Sequence, residues 1–200
     1  MKRAIFLLII GSLLFYVCSS SSSNEEPIAD QSYYNDEFRP QYHFPPDSMM
    51  MNDLNRMVYL DGKYHLFYQY FPDSTVWGPM YWCHAVSPDM TQWEHLPIAL
   101  YPDELAYIFP ESAAYDQEIA IGLGSLEKPP LIAVYTDHDM TAEKPGSSTV
   151  QTQGIASSIF KVRCWKKYGG NPVIANPTIR VCRDLKVSWR QEISHQYSQL

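Results

Sequence analysis

The sequence predicts an all-β fold made of four-stranded antiparallel meanders, which are the repeating unit of a β-propeller blade. Three observations support this prediction. Amphipathic helical periodicity is scarce along the 200 residues, β-prone runs alternate with turn residues, and a weak internal repeat is present. A β-sandwich built from similar strands is the competing fold.

The first meander is predicted in the first half of the chain. Residues 57–60 and 63–70 are β-prone runs joined by Asp61-Gly62, which suits a type I′ hairpin because that turn needs positive φ at both central residues. In the second run, apolar residues occupy both alternating faces, so we expect both to be covered. The third and fourth strands are expected at residues 80–87 and 92–96.

The same pattern recurs further along the chain. The strands of the second meander are expected at residues 108–115, 118–123, 131–136 and 151–158. Trp93 and Trp165 follow similar short motifs and stand 72 positions apart. Because a blade usually needs about 40–50 residues, this spacing predicts long loops. One such loop is expected at residues 137–148.

The N-terminus predicts export. Lys2 and Arg3 precede an apolar run, residues 4–17, which is shorter than the roughly 20 residues that cross a bilayer and is typical of a secretory signal peptide. Cys18 and a serine-rich segment follow, as in bacterial lipoprotein signals; a plain signal peptide is the alternative. The predicted division is a signal peptide at residues 1–17, a lipid-anchored flexible linker at 18–36 and a domain at 37–200, in an envelope or surface lipoprotein attached to the membrane only through Cys18.

Charge and cysteine content exclude some classes of function. With 15 Lys+Arg against 22 Asp+Glu, the net charge is −7, which argues against nucleic-acid binding. Beyond Cys18, the three cysteines Cys83, Cys164 and Cys182 are odd in number and widely spaced. This spacing argues against a disulfide framework or a zinc site, and we interpret them as buried small hydrophobic residues.

Two acidic positions are candidate catalytic groups. Asp53 follows Asn52 just before the first predicted strand, so it is either a nucleophile held by amide donors or part of an Asx turn. Asp184 follows Arg183, whose charge would keep the carboxylate ionised, or the two form a surface ion pair. Residues 137–139, Asp-His-Asp, are assigned to the loop without a metal, because adjacent strand residues point to opposite faces.

Nine segments carry a family resemblance. They are His43-Phe44 with Pro46, Met51-Asn52-Asp53-Leu54-Asn55-Arg56, Phe67-Tyr68-Gln69-Tyr70 with Pro72, Trp77-Gly78-Pro79-Met80, His84-Ala85-Val86-Ser87, Trp93-Glu94-His95-Leu96-Pro97-Ile98-Ala99-Leu100, Tyr135-Thr136, Gln151-Thr152-Gln153 and Arg183-Asp184. In this order they resemble glycoside hydrolase family 32, the β-fructofuranosidases that include invertases, levanases and inulinases. The resemblance runs from about Arg39 to Trp189.

The resemblance implies a fold and an activity. The family fold is a five-bladed β-propeller followed by a β-sandwich, so this chain would form an incomplete propeller of about two blades plus the start of a third, without the sandwich. The activity is retaining hydrolysis of fructans or sucrose through a covalent fructosyl-enzyme. The resemblance places the nucleophile on Asp53, the transition-state stabiliser on Asp184, and substrate contacts on Asn52, Gln69, Trp77, Phe109 and Arg183. No metal or organic cofactor is implied.

Departures from the family pattern bear on function. Met50, Leu54, Arg56, Cys83, Glu111, Cys164 and Leu185 stand at or near motif positions where the family has other residues. Arg56 and Glu111 would bring charged side chains near the pocket. The Glu-Cys motif of the family acid/base is absent from these 200 residues. We therefore expect little turnover by this chain alone, and the alternative function is a non-catalytic fructan-binding or defunct fragment.

Overall fold

The computed structural model describes residues 35, 37–103, 106–160 and 163–188. These residues form two four-stranded antiparallel sheets, which confirms the predicted all-β class. The predicted signal peptide and Cys18 lie outside the described residues. Within the described ranges, no helix is long and apolar enough to cross a membrane.

The first sheet is a meander of four consecutive strands. In order they are β1 (Met50–Leu60), β2 (Lys63–Phe71), β3 (Tyr81–Ser87) and β4 (Glu94–His95). The turn between β1 and β2 has positive φ at both Asp61 (51°) and Gly62 (78°), as the sequence predicted. The start of β1 was predicted too late, since Asn52 and Asp53 lie inside the strand and not in a turn before it.

The second sheet repeats this order. Its strands are β5 (Tyr107–Tyr115), β6 (Leu131–His138), β7 (Gln151–Phe160) and β8 (Cys164–Lys167), with the short helix α1 (Met140–Glu143) between β6 and β7. The loop predicted at residues 137–148 is therefore partly wrong. Asp137 and His138 end β6, and the Asp139 carboxylate caps α1 by accepting the amides of Thr141 and Ala142.

The strand predicted at residues 118–123 is wrong. This segment makes turns, because the buried Asp116 carboxylate accepts the backbone N–H groups of Ala120 at 2.8 Å and Ile121 at 3.1 Å. Ile119 and Gly122 have φ values of 55° and 75°, which do not occur in a regular strand. The hydrogen bonds to the Asp116 carboxylate therefore fold residues 118–123 into turns, although the composition of this segment favours a strand.

One hydrophobic cluster joins the two sheets. It includes Phe67 and Trp82 from the first sheet and Ile108, Leu131 and Tyr135 from the second, all at most 1% exposed. A second cluster covers the opposite face of β2 and contains Leu66, Tyr68, Cys83, Ala85 and Trp93. Both faces of β2 are therefore buried, as its pattern predicted, and β1 and β5 are held beside each other at the first strand of each sheet.

The cysteines differ from one another in environment. Cys83 is buried, and burial raises the pKa of its thiol to about 12. Cys182 is free and half-buried, and Cys164 is half-buried at the start of β8. The interpretation as buried hydrophobic residues is therefore confirmed for Cys83, whereas Cys164 and Cys182 are only half-buried.

Candidate functional site

The first functional feature is an irregularity in β1. The pairing register with β2 shifts between Asn52 and Leu54 and again between Leu54 and Arg56, so Asp53 and Asn55 have no paired residue on β2. Asp53 adopts a φ of 38°, in the left-handed region, and its side chain is exposed. Such a bulge re-aims a strand side chain, and here it turns a carboxylate outward.

A side-chain amide pair directly precedes Asp53 along β1. Asn52 and Gln69 occupy directly opposite positions on β1 and β2, and Asn52 Nδ2 donates to Gln69 Oε1 at 3.0 Å. Gln69 is only 3% exposed, whereas Asn52 is exposed. The buried partner therefore fixes the orientation of the exposed one, and the Asn52 side chain is held in place one residue before Asp53.

The second group of predicted residues lies on β5 and on the segment after β8. The Arg183 guanidinium carbon is 6.0 Å from the centre of the Phe109 ring, and Arg183 Nε is 3.8 Å from Asp184 Oδ2. Phe109 also stacks on His138, with ring centroids 4.7 Å apart. The Asp184 side chain is 76% exposed and its backbone φ is 67°.

Buried side chains hold this irregular segment in place. Two glutamines hold Cys182: Gln151 Oε1 accepts a hydrogen bond from its amide at 2.7 Å, and Gln153 Nε2 donates to its carbonyl. Glu111 accepts hydrogen bonds from the backbone amides of Asp184, at 2.9 Å, and of Leu185. Ser112 Oγ accepts one from the Val187 amide at 3.1 Å. The four anchoring side chains, on β5 and β7, are each at most 5% exposed. The segment thus follows a fixed path without pairing as a strand.

Glu111 is the charged member of this set. Thr136 Oγ1 donates to it in addition to the two backbone amides. Burial raises the pKa of Glu111, hydrogen bonds from Thr136, Leu185 and Asp184 act in the opposite direction, and the Asp184 charge adds to the rise. Sequence reasoning placed Glu111 near the pocket but missed this anchoring role. The available signal was a lone carboxylate in a strand of apolar and small residues.

A cleft of about 540 Å³ lies beside Glu111. Its lining residues are Asn55, Arg56, Met57, Glu111, Asp184, Leu185 and Lys186. Arg56 Nη1 donates to Ser112 Oγ at 3.1 Å, and Asn55 Nδ2 donates to the Pro110 carbonyl, so β1 and β5 are bridged at the cleft floor. Of the predicted site residues, Asp184 is among the lining residues of this cleft and Asp53 is not, and Arg56 and Glu111 bring charge to it.

The remaining predicted residue, Trp77, lies on the connection after β2. Trp77 is 48% exposed, and its ring centroid is 5.7 Å from that of Tyr107. The structure therefore pairs Asn52 with Gln69, one residue before Asp53, and brings Arg183 close to Phe109 and Asp184. The two sets contain carboxylates, amides, a guanidinium and partly exposed aromatic faces, the groups that recognise the hydroxyls and apolar faces of a sugar.

The family model for the N-terminal domain of glycosyl hydrolases family 32 matches residues 43–199. This chain belongs to glycosyl hydrolase family 32. The resemblance found in the sequence is therefore confirmed, and the matched part of the family is its N-terminal domain.

Known members of family 32 are similar to this chain over part of their length. The levanase of Bacillus subtilis is 47% identical over 191 residues, covering 96% of this chain and 26% of the levanase. The extracellular exo-inulinase of Aspergillus ficuum is 38% identical over 187 residues, covering 85% of this chain and 35% of the inulinase. The chain thus spans about a third or less of these relatives.

A solved family 32 structure matches the fold. The fructofuranosidase of Schwanniomyces occidentalis complexed with fructose gives a TM-score of 0.68 at 34% identity, covering 80% of this chain and 30% of that one. The fold of the matched residues is therefore similar to that of part of this fructofuranosidase.

Proposed function

We propose that this chain carries the fructose-binding portion of a retaining β-fructosidase that acts on fructans or sucrose. In this proposal Asp53 is the nucleophile and Asp184 is the transition-state stabiliser. The observation that carries the proposal is the exposed Asp53 at the β1 bulge, one residue after Asn52 of the Asn52–Gln69 amide pair. The two sheets would be two blades of a five-bladed propeller.

The chemistry assigned to Asp53 is covalent catalysis. Its carboxylate attacks the anomeric carbon as the bond to the leaving oxygen breaks, and a second carboxyl group, about 5–5.5 Å away, protonates that oxygen and then activates water. In the family, that second group belongs to a Glu-Cys motif, and no such pair occurs in these 200 residues. The proposed contribution of this chain is therefore the nucleophile and sugar binding.

The other predicted residues are assigned to sugar recognition. The Asn52 and Gln69 amides would form hydrogen bonds with fructose hydroxyls, and Arg183 and Asp184, whose Nε and Oδ2 are 3.8 Å apart, would offer a donor and an acceptor to further hydroxyls. Trp77 and Phe109 would pack against apolar sugar faces, and the 48% exposure of Trp77 supports its availability.

We also propose export of the protein through residues 1–17 and anchoring through lipidation of Cys18. The basic start, the short apolar run and the serine-rich segment support this proposal. Metabolic labelling with a fatty acid tests it, since label should enter the wild type and should be absent from the Cys18→Ala variant.

The proposed activity is tested by fructose release from sucrose, inulin and levan. Any release by the purified chain should disappear in Asp53→Asn, which removes the nucleophile while keeping its size. Asp61→Asn is the matched control, because Asp61 is also exposed with positive φ but lies in the β1–β2 turn. Release that persists in Asp53→Asn would contradict the assigned nucleophile.

Fructan binding without turnover is the second candidate function. Arg56 and Glu111 support it, because both charged side chains line the cleft where the family pattern has glycine. Calorimetry with fructo-oligosaccharides distinguishes the two functions: saturable binding without fructose release indicates a binding module.

A further inference from the structure

Two departures from the family pattern contact each other. Glu111 stands at the glycine of the family F-S-G-S segment, and Leu185 stands at the proline of R-D-P. In the structure, the Leu185 backbone N–H donates to Glu111 Oε2. Glycine would supply no carboxylate and proline no N–H, so this hydrogen bond requires both departures together.

Asp184 directly precedes Leu185 in the chain, and its backbone conformation depends on both Glu111 and Leu185. Its backbone N–H donates to Glu111 Oε1 at 2.9 Å, so one carboxylate accepts two consecutive amides. The φ of Asp184 is 67°. A proline at position 185 would push residue 184 towards extended backbone conformations, which this φ is not. Leu185 therefore permits the turn, and Glu111 stabilises it.

We propose that Glu111 is a positioning residue for Asp184. Its carboxylate fixes the two amides of the 184–185 turn and thereby sets where the Asp184 carboxylate stands at the cleft. Hydrogen bonds from consecutive amides to an ionised acceptor are strong and directional. The assignment of Asp184 to sugar binding rests on the proposed function, whereas the anchoring of the turn does not.

The surroundings of Glu111 are suited to this role. Glu111 is 5% exposed, and Thr136 Oγ1 supplies a further donor from β6. The charged groups around it are Arg56 from β1, together with Asp184 and Lys186 from the anchored segment, all of which line the same cleft. With these three donors, the ionised carboxylate has hydrogen-bond partners in the folded chain.

The anchor itself is tested by nuclear magnetic resonance, independently of any sugar. The amide proton signals of Asp184 and Leu185 should move with pH as Glu111 titrates. In Glu111→Gln, the part of the pH-dependent shift that Glu111 causes should vanish, while any part that the Asp184 carboxylate causes remains. Identical titration of the two amides in wild type and Glu111→Gln would overturn the anchor.

The positioning role is tested by the affinity of the full chain for 1-kestose, a fructose-containing trisaccharide. Glu111→Gln and Leu185→Pro should each weaken binding by about ten-fold, the scale of one lost charge-assisted hydrogen bond. Glu118→Gln is the matched control, since it makes the same chemical change at an exposed turn position outside the cleft lining and should bind within about two-fold of wild type.

A pH series separates positioning from general loss of structure. The wild-type affinity should fall as Glu111 is protonated, and the difference from Glu111→Gln should disappear at low pH. A Glu111→Gln chain that loses the amide titration but binds 1-kestose as tightly as wild type would overturn the positioning role. A wild type that shows the amide titration but no 1-kestose binding would contradict the proposed function and leave the anchor supported.

Discussion

The Asn52 side chain donates a hydrogen bond to the buried Gln69 side chain at 3.0 Å, one residue before Asp53 leaves the regular β1 geometry. This contact links the buried strand β2 to the part of β1 that carries the candidate nucleophile. Gln69 belongs to the strand that is buried on both faces, so the position of Asn52 is tied to the core. Asp53 follows Asn52 directly in β1, so the same contact restrains the backbone next to Asp53.

The Asn52–Gln69 pair should show measurable coupling in a double-mutant cycle. Asn52→Ala and Gln69→Ala each break one hydrogen bond, so the double variant should lose about 1 kcal/mol less than the sum of the single variants. Urea denaturation measures these free energies of unfolding. The cycle of Asn52→Ala with Gly169→Ala, a position outside the strands, is the control and should be additive. Additivity in the Asn52–Gln69 cycle would contradict the contact.

The backbone at Asp53 should reject a β-branched residue. Valine normally favours strands, but a φ of 38° is strained for it, so Asp53→Val should cost about 1–2 kcal/mol. Asp53→Asn should change stability little, because Asn tolerates the left-handed region. Chemical denaturation of both variants checks this. A stable Asp53→Val chain would mean that position 53 is ordinary extended strand.

Two glycines should respond oppositely to alanine. A Cβ on Gly154 would stand 2.7 Å from Cζ of the buried Tyr135, so Gly154→Ala should cost about 1–3 kcal/mol through overpacking. A Cβ on Gly169 would meet nothing within 4 Å, so Gly169→Ala should be neutral or stabilise by up to about 1 kcal/mol. Thermal unfolding of the two variants compares them. Equal effects would be inconsistent with the packing of β7 on Tyr135.

Asp137 should make stability depend on pH. Burial raises its pKa to about 6, against an opposing effect of Lys167, and the Asp103 charge adds to the rise. Because the folded pKa is raised, the stabilising contribution is complete below the ordinary value of 3.8 and is lost as pH rises through about 6. With the partial exposure of the side chain taken into account, the loss should be about 2 kcal/mol.

The variant Asp137→Asn isolates this effect. It should match wild type near pH 4 and unfold at higher denaturant concentration above pH 7, because the amide never ionises. Glu118→Gln, at an exposed turn position, is the control and should keep the wild-type pH profile. Parallel profiles of wild type and Asp137→Asn would show that Asp137 ionises without cost.

The first sheet was predictable because its signals are local. The Asp61-Gly62 turn needs only its own residues, and the alternation after it marks β2 directly. The strand wrongly predicted at residues 118–123 shows the limit of such signals. There, the Asp116 carboxylate binds the amides of Ala120 and Ile121, and this contact decides the path against the β-prone composition.

The candidate site was predictable where its residues are adjacent or belong to a motif. Asn52, Asp53 and Asp184 were found that way, although the bulge that re-aims Asp53 was not, because a register shift depends on the partner strand. The role of Glu111 could not be predicted, since its partners Asp184 and Leu185 lie 73 and 74 positions along the chain. A short sequence motif does not indicate contacts between residues so far apart along the chain.

Calorimetric titration of the chain with 1-kestose tests the central claim, a fructose-binding site that includes Asp184, most directly. The wild type should bind saturably, and Asp184→Asn should bind at least about ten-fold more weakly, because the neutral amide replaces a charged hydrogen-bond acceptor on a side chain that is 76% exposed. Asp61→Asn should bind as the wild type does. A wild type without saturable binding, or an Asp184→Asn chain with unchanged affinity, would contradict the account.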